Sequence, residues 1–290
     1  MTAKDTFFKT KRSLVIDGKL CTFDRPLVMG ILNITDDSFY DKGRFSDLEK
    51  AIDQFDKLIE EGAEIIDIGA QSTRPGFELS NEKEETTKVV SLLGALGQER
   101  LKKAFISVDT FRAEVASQAL KAGAHIINDI SAGEFDSKMF KVVSDAQCPY
   151  IIMHQNGSLR NLHKKVVYRN VVEETISFLK RKANELHRVG VYDVVIDPGF
   201  GFSKSLDDNY RLFTNLEALN IIGLPILVGV SRKSMVTKII ERPSAEALAG
   251  TSALHLTALL NGASVLRVHD VAEAVDVVRI YEKLKSTSSP

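Results

Sequence analysis

From Leu27 onward the chain repeats one pattern: a short run rich in Val, Ile and Leu, followed by a longer stretch with apolar positions at helical spacing. The short runs predict eight strands, at 27–34, 64–68, 104–108, 125–130, 149–153, 193–196, 225–230 and 265–268. The stretches between them predict helices over 48–61, 82–100, 111–121, 137–145, 171–189, 207–220, 245–261 and 272–285. Several of these stop at a glycine, as at Gly62, Gly123, Gly190 and Gly262, with a new strand close behind. That is the residue expected at a left-handed helix end. Eight such units, with no Pro-, Gly- or Ser-rich linker between halves, predict an α/β fold: a single (β/α)8 TIM barrel over 13–290. A doubly wound open sheet is the alternative, but the first strand is not followed by the Gly-x-Gly-x-x-Gly turn of its dinucleotide-binding form. Ahead of the barrel, 14–23 alternates around Asp17-Gly18 and predicts a short N-terminal β-hairpin. Residues 1–12 read as a flexible polar lead-in.

Composition narrows the function. With 290 residues, 44% of them hydrophobic, the chain can bury a large core. Lys plus Arg total 38 against 39 for Asp plus Glu, so no global field recruits nucleic acid or an acidic membrane. An anionic ligand must therefore be held by a local cluster. The two cysteines, Cys21 and Cys148, are too few for a disulfide framework. Together with the lack of a signal-peptide core or a membrane-length apolar run, this predicts a cytoplasmic protein.

In a barrel of this kind the C-terminal strand ends face one site. Each predicted strand ends in polar residues: Asn33 and Thr35, then Gln71 to Arg74, Asp109-Thr110, Asn128-Asp129, His154, Asp197, Ser231 to Ser234, and Arg267 with His269-Asp270. The sixth of these is the sharpest, a valine-rich run breaking into Asp197-Pro198-Gly199-Phe200-Gly201-Phe202-Ser203-Lys204. Asp109, Asn128, Asp197 and Lys233 combine acceptors and donors, as the edge of a flat heterocycle such as a pterin requires. Asn33, Arg74, Arg267 and His269 suit a phosphate group, with Mg²⁺ as a possible companion. Structural readings stand beside these: Asp109 and Asp197 as salt-bridge partners of Lys233 or Arg232, His154 as a packed histidine, and His269-Asp270 as a helix-start cap. A zinc site, a nucleophile elbow and a P-loop all lack their motifs.

These blocks form a family pattern. Met29 to Thr35 with Asp37-Ser38-Phe39, Ser72 to Gly76, Ser107 to Thr110, Ile127 to Asp129, Asp197 to Phe202, Gly229 to Ser234 and Arg267 to Asp270 together resemble the dihydropteroate synthases. The resemblance implies a transferase of folate biosynthesis that joins para-aminobenzoate to a 7,8-dihydropterin-6-ylmethyl diphosphate. It places the pterin on Asp109, Asn128, Met153, Asp197 and Lys233, and the diphosphate on Asn33, Arg267 and His269, with Mg²⁺ bridging Asn33 and the phosphates. It places the aminobenzoate among Phe39, Thr73, Arg74, Pro75, Phe202 and Ser234. Catalytic roles fall to Asp41, Arg74, Lys233, Arg267 and His269. A homodimer is implied, formed through outer helices; 236–240 and 248–260 carry apolar residues suited to such a face.

The chain also departs from the family pattern. Asp36 stands at a usual proline and Lys42 at a usual glycine; Ala70-Gln71 replaces Gly-Glu, and Gln155-Asn156-Gly157 replaces Met-Arg-Gly. Two further functions remain open, a corrinoid-linked pterin methyltransferase and a non-catalytic pterin-binding paralogue.

Overall fold

The structure, a computed structural model, describes residues 13–34, 44–71, 81–157 and 164–287. The 1–12 lead-in lies outside the described residues, as do Phe39, Asp41, Thr73, Arg74 and Pro75.

Strands β1 (Ser13–Ile16) and β2 (Lys19–Thr22) form the expected antiparallel hairpin. Its turn residues Asp17 and Gly18 both have positive φ, 50° and 69°, as a two-residue turn matching strand twist requires. The barrel strands follow: β3 (Leu27–Asn33), β4 (Ile65–Gly69), β5 (Phe105–Asp109), β6 (Ile126–Asp129), β7 (Tyr150–Met153), β8 (Val194–Asp197), β9 (Leu227–Val228) and β10 (Val265–Val268). All neighbours are parallel, in the order β8-β7-β6-β5-β4-β3-β10-β9. A parallel bridge between Ile196 and Ile226 joins the two outer strands and closes the ring.

Helices α1 (Arg44–Glu60), α2 (Glu82–Leu101), α3 (Ala113–Lys121), α4 (Met139–Ala146) and α5 (Val171–Arg188) lie close to their predicted spans. The later helices are α6 (Leu206–Thr214), α7 (Ser234–Ile240), α8 (Leu248–Leu260) and α9 (Val271–Thr287). The helix predicted over 207–220 breaks in two, α6 and a 3₁₀ turn at Leu216–Ile222. Thr214 Oγ1 and Asn215 Nδ2 bond back to the carbonyls of Tyr210 and Arg211, at 3.0 and 2.8 Å. Such side-chain bonds compete with helix continuation. The prediction for 245–261 divides similarly, and α7 was not anticipated as a helix. The strand predicted over 225–230 shrinks to two residues.

Strand alternation sorts the core into two parts. Val28, Ile66, Ile106, Ile127, Ile152, Ile196, Val228 and Leu266 face the helices in one large cluster. Leu27, Met29, Ile65, Ile126, Ile151, Val195, Leu227 and Val265 fill the barrel's lower interior with Leu14 and Ile16 of the hairpin. The hairpin thus acts as the barrel's floor.

Candidate active site

Two residues further along each strand, the inward positions change character. One register row runs Asn33, Gly69, Asp109, Asn128 across β3 to β6, and Met153 pairs with Asp197 across β7 and β8. Gly69 leaves room in this row, since a Cβ there would lie 3.2 Å from Asn33 Oδ1.

One layer lower sits Asp67, fully buried in β4. Arg267 on β10 donates from Nε to Asp67 Oδ2 at 2.6 Å and from Nη2 to Asp109 Oδ2 at 2.7 Å. Asn128 Nδ2 also donates to Asp67 Oδ2, at 3.0 Å, which orients its amide and leaves Oδ1 to accept from a ligand. Burial works against the Arg267 cation, yet Asp67 and Asp109 hold its pKa above the ordinary value. Burial pushes the Asp109 carboxyl up to about 7, with Arg267 pulling it down and Asp67, Glu85 and Asp129 adding to the rise. The guanidinium keeps three of its five N–H donors beyond these two bonds.

Asp197, buried at the end of β8, accepts from the Gly199 N–H through Oδ1 at 2.7 Å. Burial raises its pKa against the pull of Lys233, the Gly199 bond and Arg267. Lys233 donates to the Phe200 carbonyl at 2.7 Å and stands 5.0 Å from the centre of the Phe202 ring. Burial pushes Lys233 down to about 8, Asp197 opposing. An apolar wall closes this side: Met153 and Phe202 pack with Phe111, Ile130 and the partly buried Phe135.

The pairings considered from sequence are replaced by others. Asp109 pairs with Arg267, while Arg232 pairs with Asp270, its Nε donating to Oδ2 at 2.9 Å. That second ion pair ties the loop carrying Lys233 to the end of β10, where His269 bonds Ser231 Oγ through its N–H and Nδ1, both at 3.2 Å. Partial burial and the Arg267 and Arg232 cations push His269 down to about 4, leaving it neutral near pH 7. Ser234 is exposed at the start of α7. His154 is packed away as anticipated: Thr175 Oγ1 lies 3.2 Å from Nδ1, and Tyr168 and Phe178 flank the ring. Burial pushes it down to about 2.

Sequence reasoning missed Asp67 and Glu85. Glu85, fully buried on α2, accepts from Gln71 Nε2 at 2.7 Å, from Thr110 Oγ1 at 2.6 Å and from Arg112. It therefore joins the root of the 72–80 segment to the residue beside Asp109. The signal for Asp67 was a lone acid inside an isoleucine run. Among the described residues no group of three or more His, Cys, Asp or Glu forms a metal cluster. Asn33, with its neutral amide oxygen beside Gly69, suits a hard cation that takes its other ligands from phosphates and water.

Comparison with known proteins supports the same reading. The family described as pterin binding enzyme matches residues 29–269. Dihydropteroate synthase from Haemophilus influenzae is 40% identical over 271 residues, 93% of this chain and 98% of that protein. The enzyme of the same name from Synechocystis is 40% identical over 263 residues, 90% of each. Among solved structures, Xanthomonas albilineans dihydropteroate synthase with 4-aminobenzoic acid has a TM-score of 0.87 at 37% identity, covering 97% of this chain and all of that one. The same enzyme with 7,8-dihydropteroate has a TM-score of 0.83 at 35% identity, covering 96% and 100%. By sequence, fold and strand-end residues alike, the chain belongs to the dihydropteroate synthase family of pterin-binding enzymes.

Proposed function

We propose that the top of the barrel joins para-aminobenzoate to a 7,8-dihydropterin-6-ylmethyl diphosphate, releasing diphosphate and forming 7,8-dihydropteroate. The chain is thus a transferase of folate biosynthesis. The observation that carries the reading is the convergence of Asp109, Asn128, Asp197, Lys233 and Arg267 from five strand ends around one apolar wall. Asp109 and Asp197 accept from the pterin's ring donors, Asn128 Oδ1 accepts a third, and Lys233 donates to a ring acceptor. Met153 packs against the ring. Arg267 serves two ends: it neutralises Asp67 and Asp109 beneath the pterin and offers its remaining N–H groups to the departing diphosphate, with His269 and Asn33 alongside. For the aminobenzoate the described residues offer Phe202 and Ser234; the family resemblance adds Phe39, Thr73, Arg74 and Pro75 and gives Asp41 and Arg74 catalytic roles, all five lying outside the described residues.

Loss of diphosphate first is the easier route, because the electron-rich dihydropterin stabilises a methylene cation and the site then needs to hold leaving charge and exclude water. The neutral arylamine attacks without an essential general base. Asn33 would help to hold Mg²⁺, which when bound would supply charge neutralisation on the leaving group. We read the chain as cytoplasmic; among the described residues no helix is long and apolar enough to cross a membrane. We also read it as a homodimer, through Ile239 on α7 and Leu260 on α8, which are 58% and 52% exposed.

Turnover tests the reading directly: purified protein, both substrates and Mg²⁺, with dihydropteroate followed by chromatography beside a no-metal control. Metal-dependent product is the expected result. Pterin binding without product would instead identify a non-catalytic paralogue. Light scattering of the wild type and of Ile239→Arg tests the dimer, which the substitution is expected to dissociate.

A further inference from the structure

We infer that Lys204 is a positioning residue for the pterin: its buried ammonium, gripped by main-chain carbonyls, fixes the turn that aims Asp197 into the barrel. Lys204 is 5% exposed, and its Nζ donates to the carbonyls of Gly199 at 2.9 Å, His154 at 3.2 Å and Phe202 at 3.4 Å. All three acceptors are main-chain oxygens, and none is a carboxylate. A lysine placed this way bonds to no carboxylate; it gathers peptide groups around itself, while its charge also helps draw the Asp197 pKa down. Those groups belong to the end of β7 and to the turn after β8, so one side chain joins two neighbouring strand ends.

Gly199 is the link to the site. Its N–H is bonded to Asp197 Oδ1 at 2.7 Å, and its carbonyl accepts from Lys204 and from the Phe202 N–H. It has φ of +71°, and a Cβ there would lie 2.0 Å from the His154 carbonyl oxygen, so the turn is seated directly on the end of β7. Gly199 is therefore held at its N–H, its Cα and its carbonyl. The Asp197 carboxylate is locked to the first of these, and Lys204 sets the third. The next carbonyl along, Phe200, is taken by Lys233. The two lysines divide the work: Lys204 holds the turn from behind, and Lys233 holds it from the ligand side.

Burial of the Lys204 ammonium pushes its pKa down to about 7, with Asp197 and Asp208 opposing and Lys233 adding to the fall. The three carbonyls match the three N–H donors of the ammonium, where a neutral amine offers two. The inference rests on the assignment of Asp197 to the pterin. Five variants separate the two claims, read by calorimetry with 6-hydroxymethyl-7,8-dihydropterin and by steady-state kinetics. Lys204→Met is expected to weaken pterin binding by at least about tenfold while leaving the KM for para-aminobenzoate, at saturating pterin diphosphate, within about threefold. Lys204→Arg, which keeps the donors and the charge, is expected to recover part of the affinity. If Lys204→Met does not fold, Lys204→Gln provides the same comparison. Leu14→Ala, in the barrel floor, serves as a control that lowers stability without changing pterin affinity. Pterin affinity unchanged in folded Lys204→Met or Lys204→Gln, or weakened no more than in Leu14→Ala, would overturn the inference. If Asp197→Asn also left affinity unchanged, the pterin assignment itself would fall; if it weakened binding alone, only the role of Lys204 would be lost.

Discussion

The lower and upper halves of the barrel interior share the same strands and the same two-residue period, yet they solve opposite problems. Below, Met29, Ile65, Ile126, Ile151, Val195 and Val265 meet Leu14 and Ile16 in a cluster with no hydrogen bond to satisfy. Above, the inward positions carry Asp67, Asp109, Asn128, Asp197 and Arg267, each of which must find a partner. The border is visible in register neighbours Asp67 and Ser107, where Asp67 Oδ1 and Ser107 Oγ are buried without a hydrogen-bond partner among the described residues. The lower half contributes stability that the upper half consumes, since buried polar groups cost more than the packing they displace. This division lets the chemistry sit on rigid strand ends.

The sharpest break of this contrast is Arg267→Met, which leaves Asp67 and Asp109 buried without their shared cation. It is expected to cost about 3–5 kcal/mol in urea unfolding and to abolish turnover together. Ile16→Ala, at a fully buried floor position, is expected to cost about 2–4 kcal/mol by the same measurement while leaving kcat and both KM values unchanged. A kinetic change in that variant would dissolve the division between halves.

Outside the barrel interior, His255 on α8 is buried, its Nε2 has no partner among the described residues, and burial pushes it down to about 4. The folded state holds this ring neutral while the unfolded chain takes up a proton below about 6.5, so stability is fully present above that pH and is lost as pH falls towards 4. His255→Leu is therefore expected to gain about 2 kcal/mol more, relative to wild type, at pH 5 than at pH 8. The smallest effect expected is at Gln155, whose side-chain nitrogen and oxygen are both buried and unpartnered among the described residues. Gln155→Met removes that unmet demand and is expected to add about 1 kcal/mol in thermal unfolding.

Several features of the site were legible because they are local. The strand-end acids and cations stand out where apolar runs break, and Asp17-Gly18 announces its own turn. Pairings were not legible, because Arg267 and Asp67 lie 200 residues apart and meet only when the barrel closes. Asp67 itself was hidden by its surroundings: an acid amid isoleucines reads as an ordinary strand position until the ring shows that it points inward. The break in 207–220 was missed for a different reason, since helical spacing continues through Thr214 and Asn215 while their side chains draw the backbone away.

The sequence by itself determined the number of units, the glycine stops, the hairpin and the polar strand-end positions of Asp109, Asn128, Asp197, Lys233 and Arg267, because each is marked by chain-local propensity and period. Tertiary structure alone decided which charges neutralise one another, that the hairpin closes the barrel floor, and that Lys204 spends its ammonium on carbonyls. Those outcomes depend on distances between strand ends, and a linear chain has no such distances until the sheet closes on itself.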